Sequence, residues 1–164
     1  MKVPLALAAV CAAIALAAPA AQAAPTTCTW AGSLANPTGV FTVTPGVTNF
    51  PSAGPLKFVA SGALAGGKGC QGTVTFSGDM AAGATCPFSK FEGRVYGLPG
   101  VYRFEGYGSL DVPSRLFDRY GNQVGEENAE IATPANQAHF TDCMSPQGFR
   151  GGWPGMFSSV VVRF

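Results

Sequence analysis

The sequence predicts an all-β protein, an antiparallel β-sandwich or small barrel of about eight or nine short strands carrying two disulfides. Three observations lead there. Short runs alternate apolar and polar residues and are rich in β-branched and aromatic side chains. Gly, Pro and Asn clusters punctuate these runs at intervals of about 8–12 residues. Four cysteines remain once an N-terminal leader is set aside.

The alternation is cleanest at Thr73-Val74-Thr75-Phe76-Ser77, where Val74 and Phe76 point one way and the hydroxyls the other. Gly39–Thr44, Leu56–Leu64, Phe88–Tyr96 and Val101–Leu110 have similar composition. Turns are expected at Thr44-Pro45-Gly46, across Pro51–Pro55, at Gly66–Gly69 and at Gly97-Leu98-Pro99-Gly100. The last of these joins two runs as a hairpin in which Val95 and Tyr102 share one face. Glu92, Arg94, Arg103 and Glu105 take the other, with like charges opposite and Glu92–Arg103 and Arg94–Glu105 attracting diagonally. A second hairpin spans Arg115–Gly125 about Gly121-Asn122, both tolerant of positive φ. Glu126–Ala132 has helical character and would end before Pro134. The last strand runs from Met156 to Phe164, with Val160, Val162 and Phe164 alternating against Ser159, Val161 and Arg163.

The N-terminus has the three parts of a secretory leader: Lys2, an apolar stretch from Val3 to Ala18, and the small-residue site Ala21-Gln22-Ala23. Cleavage there leaves residues 24–164 as one domain. A lipoprotein cut before Cys11 fits poorly, because it falls too early in the apolar run and Val10 is too large. Without Lys2 the chain carries nine basic against nine acidic side chains. That balance speaks against nucleic-acid binding, which needs a basic face. The processed chain is not expected to span a membrane, and the expected location is extracellular or periplasmic.

Cys28, Cys70, Cys86 and Cys143 form an even set in an exported chain and are read as two disulfides. Three pairings are open. Cys28–Cys70 with Cys86–Cys143 would tie the N-terminal strand and a late loop to the body. With no C-x-x-C pair and a single histidine, the cysteines are not read as metal ligands. Trp30, beside Cys28, is read as a core aromatic packed on a disulfide.

Catalytic signatures are sparse: there is no G-x-S-x-G, H-E-x-x-H, phosphate loop or dinucleotide fingerprint, and no cofactor is expected. His139 is the sole histidine, and on a strand Asp142 would face away from it. Glu92 and Glu105 resemble a glycosidase pair, but the flanking arginines would keep both ionised where one must stay protonated. Asp118, Asn122 and Glu126, with Glu127 and Glu130, form the densest oxygen-ligand group, without EF-hand spacing, and read as a charged hairpin tip. The candidate binding surface is the segment from Met144 to Gly155, where Phe149, Arg150 and Trp153 stand among glycines and prolines that argue against regular structure. Against this, Phe149 and Trp153 would fold back and plug the end of the sandwich.

Cys28-Thr29-Trp30-Ala31-Gly32, the Thr44–Thr48 turn and the later Cys70 and Cys86 resemble small secreted β-sandwich proteins of high-GC Gram-positive bacteria. The resemblance covers the N-terminal half and implies export and disulfides but no activity. The leading expectation is a secreted, non-enzymatic binding or cell-surface module for an extracellular protein or polysaccharide, an inhibitor of a secreted enzyme being one form. The alternatives are a secreted hydrolase using His139 or acidic residues, and a small outer-membrane barrel suggested by the alternating C-terminus ending in Phe164.

Overall fold

The computed structural model describes residues 24–108, 112–131 and 141–164. The leader, Cys11 and His139 lie outside them. The strands are β1 (Thr26–Trp30), β2 (Gly32–Ser33), β3 (Asn36–Pro37), β4 (Gly39–Val47), β5 (Leu56–Gly66), β6 (Gly72–Met80), β7 (Lys90–Tyr96), β8 (Arg103–Tyr107), β9 (Ser114–Phe117), β10 (Gln123–Ile131) and β11 (Phe149–Val162). A short 3-10 turn, Thr141–Met144, precedes β11.

β4 to β11 pair in sequence order, each antiparallel to the next, and β11 returns to β4. The result is a closed eight-stranded up-and-down barrel, with β1 as an extra strand. Closure removes the open edges that a sheet of this length would otherwise expose. The fourteen-residue β11 closes the wall in two stages. Its first half pairs with β4 and its second half with β1, which in turn pairs with the end of β5.

The two ends of the barrel differ. At one end Trp30 is fully buried, donates from Nε1 to the Val74 carbonyl at 3.0 Å, and meets Phe76 edge-on with centroids 5.6 Å apart. Leu116, Val74, Val160 and Val162 complete a floor of buried side chains there. Glycine makes the room: a methyl group at Gly62 would come within 2.5 Å of Ala31 Cβ and 3.0 Å of the Trp30 ring.

Large and small residues alternate around the inner wall. One row runs Phe58–Gly78–Gly93–Phe104 across four strands, and the two phenylalanine rings meet edge-on above the glycine pair, 5.7 Å apart. Small barrels fill their interiors in this way. A methyl group at Gly93 would come within 2.7 Å of Gly78 Cα. We expect Gly93→Ala to destabilise by about 1–3 kcal/mol. Chemical denaturation checks this, and a loss below about 0.5 kcal/mol would mean that β6 and β7 are not held this close.

Both disulfides are formed, Cys28–Cys70 and Cys86–Cys143. The first staples β1 near the floor. The second joins the loop after β6 to the turn before β11, at the opposite end.

Several expectations are corrected. Residues from Glu126 to Ile131 are strand, not helix, because β11 pairs with them throughout and β9 with Glu126 and Glu127. Ala132 and Pro134 lie outside the described residues. Thr44-Pro45-Gly46 continues β4, through a cis Thr44–Pro45 bond, and is not a turn. The segment from Phe149 to Gly155 is strand as well, its glycines and Pro154 taken up by three register shifts against β4. The β9–β10 turn has positive φ at Gly121 alone. Its shape comes from the Asp118 carboxylate, which accepts from the Tyr120 N–H, the Asn122 N–H and Asn122 Nδ2 at 2.8–2.9 Å.

Candidate functional site

Between the Trp30 floor and the far end of the barrel lies a cavity of about 170 Å³. Its walls are mostly carbon: Phe41 and Phe58 from β4 and β5, Phe91 and Phe104 from β7 and β8, and Phe149 and Met156 from β11. These rings support one another. Phe41 stacks on Phe58 and on Phe149, and Phe58 meets Phe91 edge-on. Ser89, Tyr107 and Ser114 add hydroxyls, and Cys86 and Cys143 line the wall with their disulfide. The end on which these residues lie carries the loops after β4 and β6 and the turn before β11. Phe88 and Tyr107 are both exposed there, with ring centroids 6.1 Å apart.

One carboxyl group enters this apolar space. Glu127, midway along β10, is 7% exposed and lines the cavity. Ser114 of β9 and Val160 of β11 stand opposite it in the ladders. Burial disfavours the carboxylate and pushes the Glu127 pKa up to about 7, while the Ser158 and Ser114 hydroxyls pull in the other direction. The Ser158 hydroxyl is buried against this carboxyl without a hydrogen bond of full geometry. No lysine or arginine among the described residues lines the cavity.

The residues singled out from sequence fall in different places. Phe149 joins the cavity wall, with Trp153 edge-on to it at 5.2 Å and half-buried, whereas Arg150 is exposed. Phe149 thus packs inward as part of a strand, with Trp153 against its edge. Val95 is buried while Tyr102 is exposed under the Arg94 guanidinium, 4.3 Å away, so these two do not share a face. The pairings Glu92 with Glu105 and Arg94 with Arg103 are as expected. The diagonal attractions are not what forms: Glu105 is held by Arg103 of its own strand and Arg115 of β9. The oxygen-ligand group is split, with Asp118 committed to its turn, Glu126 exposed beside Gln123, and Glu127 inside. Among the described residues no three His, Cys, Asp or Glu side chains are grouped to hold a metal ion.

Comparison with family models, curated proteins and solved structures gives no match.

Glu127 was legible in sequence only as one member of an acidic cluster. Reading the segment at period two would have set it on one face with Gly125 and Ala129. Two small neighbours flanking a glutamate are the signal that this face is enclosed.

Proposed function

We propose that this protein is a secreted, non-enzymatic binding protein that takes a small, largely apolar molecule into the lumen of its barrel. The observation that carries this reading is the aromatic-walled cavity of about 170 Å³ inside a closed eight-stranded wall. Eight strands leave an interior either filled by side chains or able to hold one small ligand. Apolar cavities of about 150 Å³ stay dry and take up benzene. The Cys86–Cys143 disulfide, at the end opposite the Trp30 floor, supports export.

The outer face supports a water-facing wall better than a lipid-facing one. Lys57 and Asp79 pair there at 2.6 Å, and Arg103, Glu105 and Arg115 form a second charged group. An outer-membrane barrel needs an apolar band at that position. No helix among the described residues is long and apolar enough to cross a membrane.

The test is titration of the oxidised protein with ethylbenzene, followed by NMR or calorimetry. We expect a Kd between about 10 μM and 1 mM, as suits eight heavy atoms in a dry pocket. Ala129→Phe, which projects a ring into the lumen, should abolish it. No binding by the wild-type protein, or undiminished binding by the variant, would remove the lumen as the site.

A further inference from the structure

Resting on the lumen reading, we infer that the ligand is a small organic amine, bound as its ammonium ion with Glu127 as counter-ion and the phenylalanine rings around its hydrocarbon part. Three observations carry this. First, the Glu127 carboxyl is enclosed in an apolar cavity with no cationic side chain among the described lining residues. A buried carboxylate is costly unless a charge and hydrogen bonds compensate it. A ligand ammonium supplies both. Second, two hydroxyls flank the carboxyl, from Ser114 and Ser158, and Ser158 Oγ is buried with no hydrogen bond of full geometry. An ammonium has three donors, so one to the carboxylate leaves others for these oxygens. Third, the rest of the wall is aromatic, and aromatic rings attract a desolvated cation as well as burying apolar surface.

A neutral ligand would use the rings but leave Glu127 without a counter-charge and Ser158 as it is. The amine uses all three features. The volume limits the hydrocarbon part to about one aromatic ring or a short branched chain.

The charge state follows from what faces Glu127. β9 presents Ser114 and turns Arg115 outward to Glu105; β11 presents Val160 and Ser158. Tyr107 of β8 is the other titratable side chain lining the cavity among the described residues. Glu127 is the one carboxyl group among the described lining residues, and its protonation is what an ammonium ligand would respond to. Its pKa near 7 means that the carboxylate form, which an ammonium requires, grows as pH rises through that value.

The experiment compares benzylamine, benzyl alcohol and ethylbenzene, which have equal numbers of heavy atoms, on the full oxidised protein. At pH 8 we expect benzylamine to bind at least about tenfold more tightly than ethylbenzene, the ratio corresponding to about 1.4 kcal/mol. Its affinity should fall about tenfold or more from pH 8 to pH 5.5, with little change for the neutral pair. In Glu127→Gln the benzylamine-to-ethylbenzene ratio should collapse towards one. Ethylbenzene or benzyl alcohol binding as well as benzylamine at pH 8, or a ratio indifferent to pH, would overturn the amine while leaving the lumen reading intact. Failure of all three to bind would overturn both. The pH series on the wild-type protein separates these outcomes even if the variant does not fold.

Discussion

Trp30→Ala is expected to cost about 3–5 kcal/mol of stability, the largest effect of any single change considered. The indole is wholly buried, and its neighbours have been cut down to admit it. Gly39 and Gly62 lie close enough that a methyl group at either would come within 3.0 Å of the ring. Those glycines cannot extend into the space the ring vacates, so the cavity would stay open, and the cost of such a substitution rises with residual cavity volume. The Val74 carbonyl would also lose the Nε1 donor at 3.0 Å in a buried setting. Trp30→Phe separates the two contributions. It keeps a ring against Phe76 but not the hydrogen bond, and should cost about 1–3 kcal/mol. Urea unfolding of the oxidised proteins measures both. A loss below about 1 kcal/mol for Trp30→Ala would mean that the floor repacks and that Trp30 does not close it.

The second large effect is on the pH dependence of stability, and it has the opposite sign to the usual carboxylate. Most native carboxylates are stabilised as anions, so stability is lost as pH falls. Glu127 is buried, and its pKa is raised from 4.5 to about 7. Below the ordinary value both folded and unfolded chains carry the proton, and the group contributes nothing to the pH dependence. Between that value and about 7 the unfolded chain has released its proton and the folded one has not. Stability therefore falls as pH rises through this window. Above it the penalty is constant at about 3 kcal/mol. Glu127→Gln removes the titration, so the difference in unfolding free energy between variant and wild type should shift in favour of the variant by about 3 kcal/mol from pH 4.5 to pH 8. Other groups largely cancel in that comparison. If wild type and variant follow parallel curves, Glu127 ionises freely in the folded protein and is not enclosed.

The parts legible in sequence were those with local signals. Val74 and Phe76 were placed inward by alternation alone, and both are buried. The Gly97–Gly100 turn set the register Glu92↔Glu105 and Arg94↔Arg103 from loop length, and the ladder has that register. Two further readings failed for one reason. Glu126–Ile131 has good helix formers, yet the ladder with β11 along its whole length, joined by β9 at Glu126 and Glu127, supplies hydrogen bonds that a short, unsupported helix would have to hold without packing. Phe149–Gly155 has the composition of a loop, but pairing with β4 through bulges keeps it in the wall. In both, tertiary hydrogen bonding overrode local preference. The candidate site was half visible: Phe149 was singled out, as a contact residue or as one folded back into the interior, and it lies in the cavity wall.

By itself, then, the sequence determined an all-β chain, the approximate number of strands and an even set of cysteines, because alternation, turn residues and cysteine count act over a few residues or need no geometry at all. Only the tertiary structure decided that the sheet closes into a barrel, which cysteines join, and that Glu127 faces an aromatic lumen while Glu126 faces water. A period of two says that neighbouring side chains point to opposite faces. Which face becomes the interior depends on β11 finding β4, and that contact joins strands more than a hundred residues apart.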